Sequence, residues 1–261
     1  MSKKPTLSPS KITTYLACPV KYRWTYVDRK TWYLRAKSYY SFGTTLHRVL
    51  ERFHDSNDEG VTTTEQALAA YEDSWIDAGY QSAEEMAEAF GEGQQIVAEH
   101  VARVLAKPPE GRVLLTERQL RSDLGEFILL GRIDRVDEHL DGTLEIIDYK
   151  SGRESVLEDE VRADIAMACY QLLLKKKFPE RTVKATIVAL KTGEQASYGM
   201  SPSEMEEFEI DLIKLGAIIL SEDYPELIPK LKPLCYRCDF LPLCRKHAEF
   251  EEHFSCETAN I

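Results

Sequence analysis

Two stretches of this chain, Gly131-Arg132-Ile133-Asp134-Arg135-Val136-Asp137 and Ile146-Ile147-Asp148-Tyr149-Lys150-Ser151-Gly152, carry residue types that can do chemistry together. Each acid follows strongly apolar residues, Ile133 in one and Ile146-Ile147 in the other, so each belongs to a strand rather than to a polar turn. Side chains alternate along a strand, so Asp148 and Lys150 project from one face and set a carboxylate beside an ammonium. If the Asp134 strand lies alongside, a second carboxylate joins them. Two carboxylates supply the oxygen ligands that Mg²⁺ or Mn²⁺ needs beside a phosphate, and Lys150 could orient or activate the attacking water. The bland alternative is a solvated cross-strand ion pair.

A two-carboxylate metal site recruits further ligands. His47, in the string Phe42-Gly43-Thr44-Thr45-Leu46-His47, is the best placed of the six histidines. An imidazole suits Mn²⁺ better than Mg²⁺, which prefers oxygen. Glu51 stands one turn beyond His47 and could support the same cleft, a surface salt bridge being its alternative. Glu117 is an outside candidate, held on a defined sheet face by alternation with Leu115 and Gln119. His54, His100, His139, His247 and His253 have no motif around them and read as solvated.

Four of the six cysteines form a second constellation: Cys18, then Cys235-x-x-Cys238 and Cys244. Cys-x-x-Cys sets two thiolates on one turn, and Cys244 with Cys18 would complete a four-sulfur set, acceptable to Zn²⁺ or to an iron-sulfur cluster. Cys169 falls in an apolar helix and Cys256 in a polar tail, so neither joins the set.

The elements that must position these groups follow from periodicity and turn chemistry. Ser8 or Ser10 caps a first helix, Pro19 breaks it, and a second helical piece reaches Val27. A helix opens around Phe42–His47, with Leu46, Val49, Leu50 and Phe53 at helical spacing. Two more span Thr64–Ala78 and Ser82–Ala106 and read as a helical insertion over 60–110. Strands follow at Val113–Leu120, Glu126–Val136 and Thr143–Tyr149, with turns at Asp123-Leu124-Gly125 and Asp141-Gly142, an antiparallel meander. A helix over Val161–Lys177, a strand over Val183–Leu190 and a helix from Ser201-Pro202 to Leu220 complete an α/β order: a mixed sheet flanked by helices.

The Gly-x-x-Asp element ending at Asp134 and the Asp-x-Lys element at Asp148 and Lys150 resemble motifs of the PD-(D/E)XK nuclease superfamily, in its RecB-like exonuclease branch. The string around His47 resembles that family's first motif. The resemblance implies a restriction-endonuclease-like fold, with metal ligands at His47, Asp134, Asp148 and the backbone carbonyl of Tyr149, and Lys150 as catalytic lysine. Tyr170 matches the family's helix tyrosine, but Ala166 stands where a Gln is usual, and Gln171 is not an obvious substitute. One amino-terminal cysteine with a carboxy-terminal trio resembles the iron-sulfur nucleases of the CRISPR-associated RecB-like and AddB types, which implies a 4Fe-4S cluster on Cys18, Cys235, Cys238 and Cys244 stapling the two chain ends.

Bulk properties set the remaining expectations. The 261 residues suit one nuclease domain over 1–261. Neither a span-length apolar run nor a secretory start is present, which points to a cytoplasmic protein. The net charge of -11 is uneven: residues 1–40 hold nine Lys or Arg (Lys3, Lys4, Lys11, Lys21, Arg23, Arg29, Lys30, Arg35, Lys37) against Asp28 alone, a net +8, leaving -19 for the rest. Interleaved aromatics, among them Trp24, Trp32, Tyr33, Tyr39 and Tyr40, could stack bases of single-stranded DNA, whereas Tyr15, Tyr22 and Tyr26 read as helix packing. The whole reads as a metal-dependent DNA exonuclease acting at single-stranded ends in repair, recombination or CRISPR adaptation. No phosphate-loop motif is present, so a helicase or integrase partner would supply any motor. The rival is a catalytically inactive DNA-binding scaffold subunit.

Overall fold

The apolar strands flanking the acids pair as their turn signals predict, and each runs longer than its hydrophobic core. In the computed structural model, which describes residues 4–55 and 60–258, β1 is Thr6–Leu7, β2 Gly111–Asp123, β3 Ile128–His139, β4 Leu144–Lys150, β5 Val183–Ala189 and β6 Gln195–Tyr198. β2, β3 and β4 form the antiparallel meander, β5 joins β4 in parallel, and β6 closes on β5 antiparallel. β1 adds in parallel to the start of β3. The result is the expected mixed sheet; β1 and β6 are additions that their short, weakly patterned sequences do not announce. Asp123 and Asp141 make the two turns by accepting from the N–H two residues on, of Gly125 and Thr143.

The helices are α1 Pro9–Ala17, α2 Pro19–Tyr22, α3 Ser38–His54, α4 Thr64–Ser74, α5 Ala83–Ala106, α6 Glu158–Ala163, α7 Ile165–Lys177, α8 Pro202–Ser221, α9 Leu241–Cys244 and α10 Ala248–Thr258. Helix α2 continues into a π-helical turn, Arg23–Val27. The single helix expected over Val161–Lys177 is two. Asp164 takes an extended conformation and its carboxylate accepts from the N–H groups of Ala166 and Met167, starting α7 afresh as an N-cap. Helix α3 begins at Ser38, four residues before the expected Phe42. Among the described residues no helix is long and apolar enough to cross a membrane.

Packing divides the chain into two units: Met1–Pro9 with Ala36–Ile213, and Ser10–Arg35 with Lys214–Ile261. The first holds the sheet. Leu46, Val49 and Leu50 of α3, Ala67, Ala70 and Tyr71 of α4, and Ile96, Val97 and Val101 of α5 pack with Ile147, Tyr149 and Val188 of the sheet. Helices α4 and α5, in the stretch expected as a helical insertion, contribute to this core. In the second unit, Val20, Trp24, Phe240, Leu243 and Phe250 pack around the four-cysteine set. Tyr15, Tyr22 and Trp24 are buried there, while Trp32 is exposed. Lys3, counted in the basic segment, lies outside the described residues.

The expectation of solvated histidines fails for two of the five, and partly for a third. His54 and His100 are buried, with Nε2 atoms 3.0 Å apart. The buried Arg135 guanidinium binds Asp137 in fork geometry, lies 2.9 Å from His54 Nδ1 and donates to the Tyr149 hydroxyl at 3.2 Å. These partners come from other elements, so neither histidine carries a local motif. His139 is half-buried against Glu145, and only His247 and His253 are exposed as expected. Burial, with the Arg103 and Arg135 charges, holds His100 down at about 3, and burial with Arg135 depresses His54 well below its ordinary value.

This pair makes stability pH-dependent. An unfolded histidine binds a proton below about pH 6.5, whereas the folded pair stays neutral, so the unfolded chain holds more protons and stability falls as pH falls through that value. For His100 the loss continues to about 3. Urea unfolding between pH 7 and 5 is expected to be shallower in pH dependence for His100→Phe than for the unsubstituted protein, by up to about 1.4 kcal/mol per pH unit. Equal slopes would show that His100 titrates normally.

Candidate metal centre

Strand register assembles the site. Arg135 pairs with Ile147 and Val136 with Ile146, and continuing that register by one residue sets Asp134 opposite Asp148. On the other edge of β3, Thr116 pairs with Arg135 and Arg118 with Ile133, so Glu117 lies across from Asp134. The Tyr149 N–H donates to Asp134 Oδ2 at 2.9 Å and fixes that carboxylate. Glu117 has a φ of 42°, a left-handed conformation that disfavours side chains other than those of Gly, Asn and Asp. Such strain within a strand is held where the side chain is needed, and here it accompanies a carboxylate turned to the centre.

From α3, His47 completes the group. Its Nδ1 lies 3.3 Å from Asp134 Oδ2 and 3.6 Å from Glu117 Oε1, and its Nε2 donates to the Tyr149 carbonyl at 3.0 Å. Among the described residues, His47, Glu117 and Asp134 are the one group of His, Cys, Asp or Glu whose ligand atoms lie within 4.8 Å of one another. Glu117 thus ranks with the leading candidates. The Tyr149 carbonyl, expected as a ligand, orients the imidazole and keeps its second lone pair.

Asp148 lies deeper, 5% exposed, with Lys150 Nζ 2.6 Å from its Oδ2. Apart from that ammonium, the buried oxygen has no polar partner among the described residues. Burial and the neighbouring Asp134 push Asp148 up to about 6, against the pull of Lys150 and His47. Burial disfavours the Lys150 charge, but Asp148, Asp164 and Asp134 outweigh it and hold the ammonium above its ordinary value. Lys150 is therefore a cation and a hydrogen-bond donor at neutral pH. Burial also opposes charge on His47, yet Asp134, Glu117 and Asp148 hold it up at about 10. This set fits a divalent ion: two carboxylates and an imidazole converge, a third carboxylate stands beside them paired with Lys150, and a proton on His47 now supplies positive charge where a cation would.

The remaining candidates divide. Tyr170 of α7 lies by the acids: burial, then Asp148 and Asp134, raise its hydroxyl pKa. Gly131 explains its approach, since a Cβ there would meet Leu173 Cδ1 at 2.6 Å and Tyr170 Cδ1 at 3.0 Å. Ala166, in the first turn of α7, offers only its N–H, which donates to Asp164 Oδ1 at 2.7 Å, and Gln171 is buried with its Oε1 accepting from Met200. Gln171 does not replace the missing Gln; Asp164, unremarked in the sequence, is the polar group at that helix end. Arg132 was also missed, although it stands within the Gly-x-x-Asp element; its Nε lies 2.5 Å from Glu117 Oε2. Glu51 lines the cleft, its carboxyl pKa raised by burial and by Glu117.

All four cysteines of the second constellation lie in the second unit. Cys18 caps α2, its Sγ accepting from the Lys21 N–H at 3.4 Å. Cys235 is in a 3₁₀ turn, Pro233–Arg237, that Cys238 ends, and Cys244 closes α9. Burial raises the Cys235, Cys238 and Cys244 thiols, Cys244 to about 12, with charge on the other sulfurs adding to each shift. All four belong to one apolar cluster, where a cation would favour the thiolate forms. Cys169 is buried in α7 of the first unit, and Cys256 is exposed.

No curated protein sequence matches the chain. A solved structure, the crystal structure of SSO0001, aligns over 94% of this chain and 87% of its own at 10% identity and a TM-score of 0.36, a likeness too loose to carry an argument. The model of the PD-(D/E)XK nuclease superfamily matches residues 6–245, which include the strands bearing Glu117, Asp134, Asp148 and Lys150 and the helix bearing His47. The match takes in nearly the whole chain, and the chain belongs to the PD-(D/E)XK nuclease superfamily.

Proposed function

We propose that this metal-dependent nuclease is a DNA exonuclease acting mainly at single-stranded ends, with 1–261 working as one nuclease domain. The observation that carries the catalytic reading is the convergence of His47, Glu117 and Asp134 beside the Asp148–Lys150 pair. A bound Mg²⁺ or Mn²⁺ would be held by His47, Glu117, Asp134 and Asp148, with the Tyr149 carbonyl within reach, and would neutralise phosphate charge and acidify water. The imidazole favours Mn²⁺. Lys150, kept charged by Asp148, donates to the attacking water and steadies charge on the phosphate rather than removing a proton. The Tyr149 N–H and carbonyl hold Asp134 and His47 in orientation. Arg48, Arg132 and Arg153 line the same cleft and meet the strand's phosphates.

For the cysteines we favour a 4Fe-4S cluster over zinc. A single Zn²⁺ with bonds of about 2.3 Å draws its sulfurs to about 3.8 Å from each other. A four-iron cluster holds its thiolates farther apart, and the arrangement of Cys18 with Cys235, Cys238 and Cys244 resembles that of the iron-sulfur nucleases. DNA repair, recombination and CRISPR adaptation are the processes in which such an end-directed nuclease works, beside a helicase or integrase that opens the duplex.

Asp148→Ala and Lys150→Ala are each expected to keep the fold and DNA binding while lowering Mn²⁺-dependent digestion of end-labelled single strands by at least about a hundredfold. Undiminished digestion by both variants would remove the catalytic assignment, and a purified protein that binds strands but degrades none would point to a scaffold. Glu117→Gln is expected to weaken Mn²⁺ binding by about tenfold or more in calorimetric titration. An unchanged affinity would confine Glu117 to its Arg132 ion pair. Protein purified without oxygen is expected to absorb broadly near the violet edge of the visible range, and Cys18→Ser and Cys244→Ser to lose that absorption. A colourless protein containing stoichiometric zinc would establish the alternative metal.

A further inference from the structure

The cleft that carries the metal centre continues along α3 to its first turn. Tyr40, Gly43, Thr44, His47, Arg48 and Glu51 all line it, at spacings of three, four and seven residues that place them on one stripe of the helix. Its volume is about 900 Å³. Seven residues separate Tyr40 from His47, about 10 Å along the helix axis, a few nucleotides of a strand.

Two features of that first turn call for a ligand. Tyr39 and Tyr40 are 62% and 68% exposed, and both line the cleft. Their ring centroids are 4.4 Å apart with planes tilted by 46°, so the adjacent side chains form one two-ring surface. Between them and the metal centre Gly43 lets α3 approach Ser151 closely, since a Cβ there would come 3.3 Å from Ser151 Oγ. Beyond the rings Arg48, Arg132, Lys150 and Arg153 line the cleft beside the carboxylates Glu51, Glu117 and Asp134; Arg132 is paired with Glu117, Lys150 with Asp148 and Arg153 with Glu160, while Arg48 has no ion pair among the described residues. Exposed rings beside phosphate-binding cations are the two components by which proteins hold single strands without reading sequence.

We propose that Tyr39 and Tyr40 are a base-stacking platform that receives unpaired bases of the strand whose phosphate lies at the metal centre, so that the cleft selects single-stranded over duplex DNA. The proposal rests on the nuclease reading for the position of the scissile phosphate. A paired base is already stacked and cannot reach the rings, while an unpaired one gains their surface whatever its identity. Arg48 and Arg153 hold the backbone while the rings hold the bases.

The test sets protein substitutions against base removal. Strands of one sequence, intact or carrying abasic nucleotides at successive positions, are bound by the unsubstituted protein, by Tyr39→Ala/Tyr40→Ala and by Tyr40→Trp, in Ca²⁺ so that binding is read apart from cleavage. Base removal at one or two positions is expected to weaken binding by the unsubstituted protein about tenfold. The double alanine protein is expected to bind intact strands about tenfold or more weakly and to be indifferent to the abasic sites. Tyr40→Trp is expected to bind as tightly as Tyr40 does and to show fluorescence quenching by intact strands in excess of that from Trp24, Trp32 and Trp75 in the unsubstituted protein. Abasic penalties of equal size in both proteins, or a Tyr40→Trp signal that no strand quenches, would overturn the platform. Failure of the unsubstituted protein to cleave in Mn²⁺ would count against the nuclease reading alone, because the binding arm does not depend on cleavage.

Discussion

Three carboxylates from three adjacent strands, Glu117, Asp134 and Asp148, are brought together in a cleft only partly open to water, and the surrounding structure answers that concentration of negative charge. Register makes it unavoidable, since Asp134 stands opposite both of the others. Like charges this close and this buried cannot all stay ionised without positive charge nearby. The side chains supply some: Lys150 on Asp148, Arg132 on Glu117 and a proton on His47 shared between Asp134 and Glu117. Burial, and after it the Asp134 charge, still hold Asp148 up at about 6 with an ammonium 2.6 Å away. A divalent cation among these carboxylates would favour their ionised forms.

Backbone geometry holds this arrangement against its own repulsion. Glu117 occupies a left-handed conformation that β2 would not otherwise contain, a local cost on the order of 1–3 kcal/mol that pairing on both sides of it offsets. Gly131 lets α7 close over β3, which brings Tyr170 to the acids. Behind the site, the Arg135 guanidinium, bound to Asp137 and donating to the Tyr149 hydroxyl, anchors the residue whose N–H and carbonyl orient Asp134 and His47. A buried guanidinium is tolerable there because it is paired and hydrogen-bonded. Core packing and site geometry therefore meet in one residue, Tyr149.

What was legible in the sequence is what local chemistry writes there. Strand alternation placed Asp148 with Lys150, turn residues placed the meander, and alternation alone put Glu117 on a usable face. Long-range partnership left no local mark. His54 and His100 look like any motif-free histidines because their environment is made by Arg135 and Tyr149, far away in the chain. The break at Asp164 was hidden by the apolar period continuing through it, although an acid two residues before Ala166 is an N-cap signal. The early start of α3 was obscured by aromatic and serine residues of middling helix propensity, and with it the position of Tyr39 and Tyr40 on the stripe that leads to His47.

The second unit meets a different constraint, one of size. Ser10–Arg35 and Lys214–Ile261 together amount to roughly 75 residues, and a core of that scale rarely supplies more than about 3–5 kcal/mol by itself. Its pieces are short: α2 and α9 are four residues each, and the cysteine-bearing turn is 3₁₀. Elements this brief cannot bury a continuous face or sustain helix by propensity. They are nonetheless wrapped around one apolar cluster with four free thiols, three of which burial keeps from ionising. Protonated thiols pack there as small apolar side chains and add no crosslink. Bound to the proposed cluster they would become a crosslink, joining the amino-terminal and carboxy-terminal segments by metal-ligand bonds in a unit whose hydrophobic burial is limited by its size.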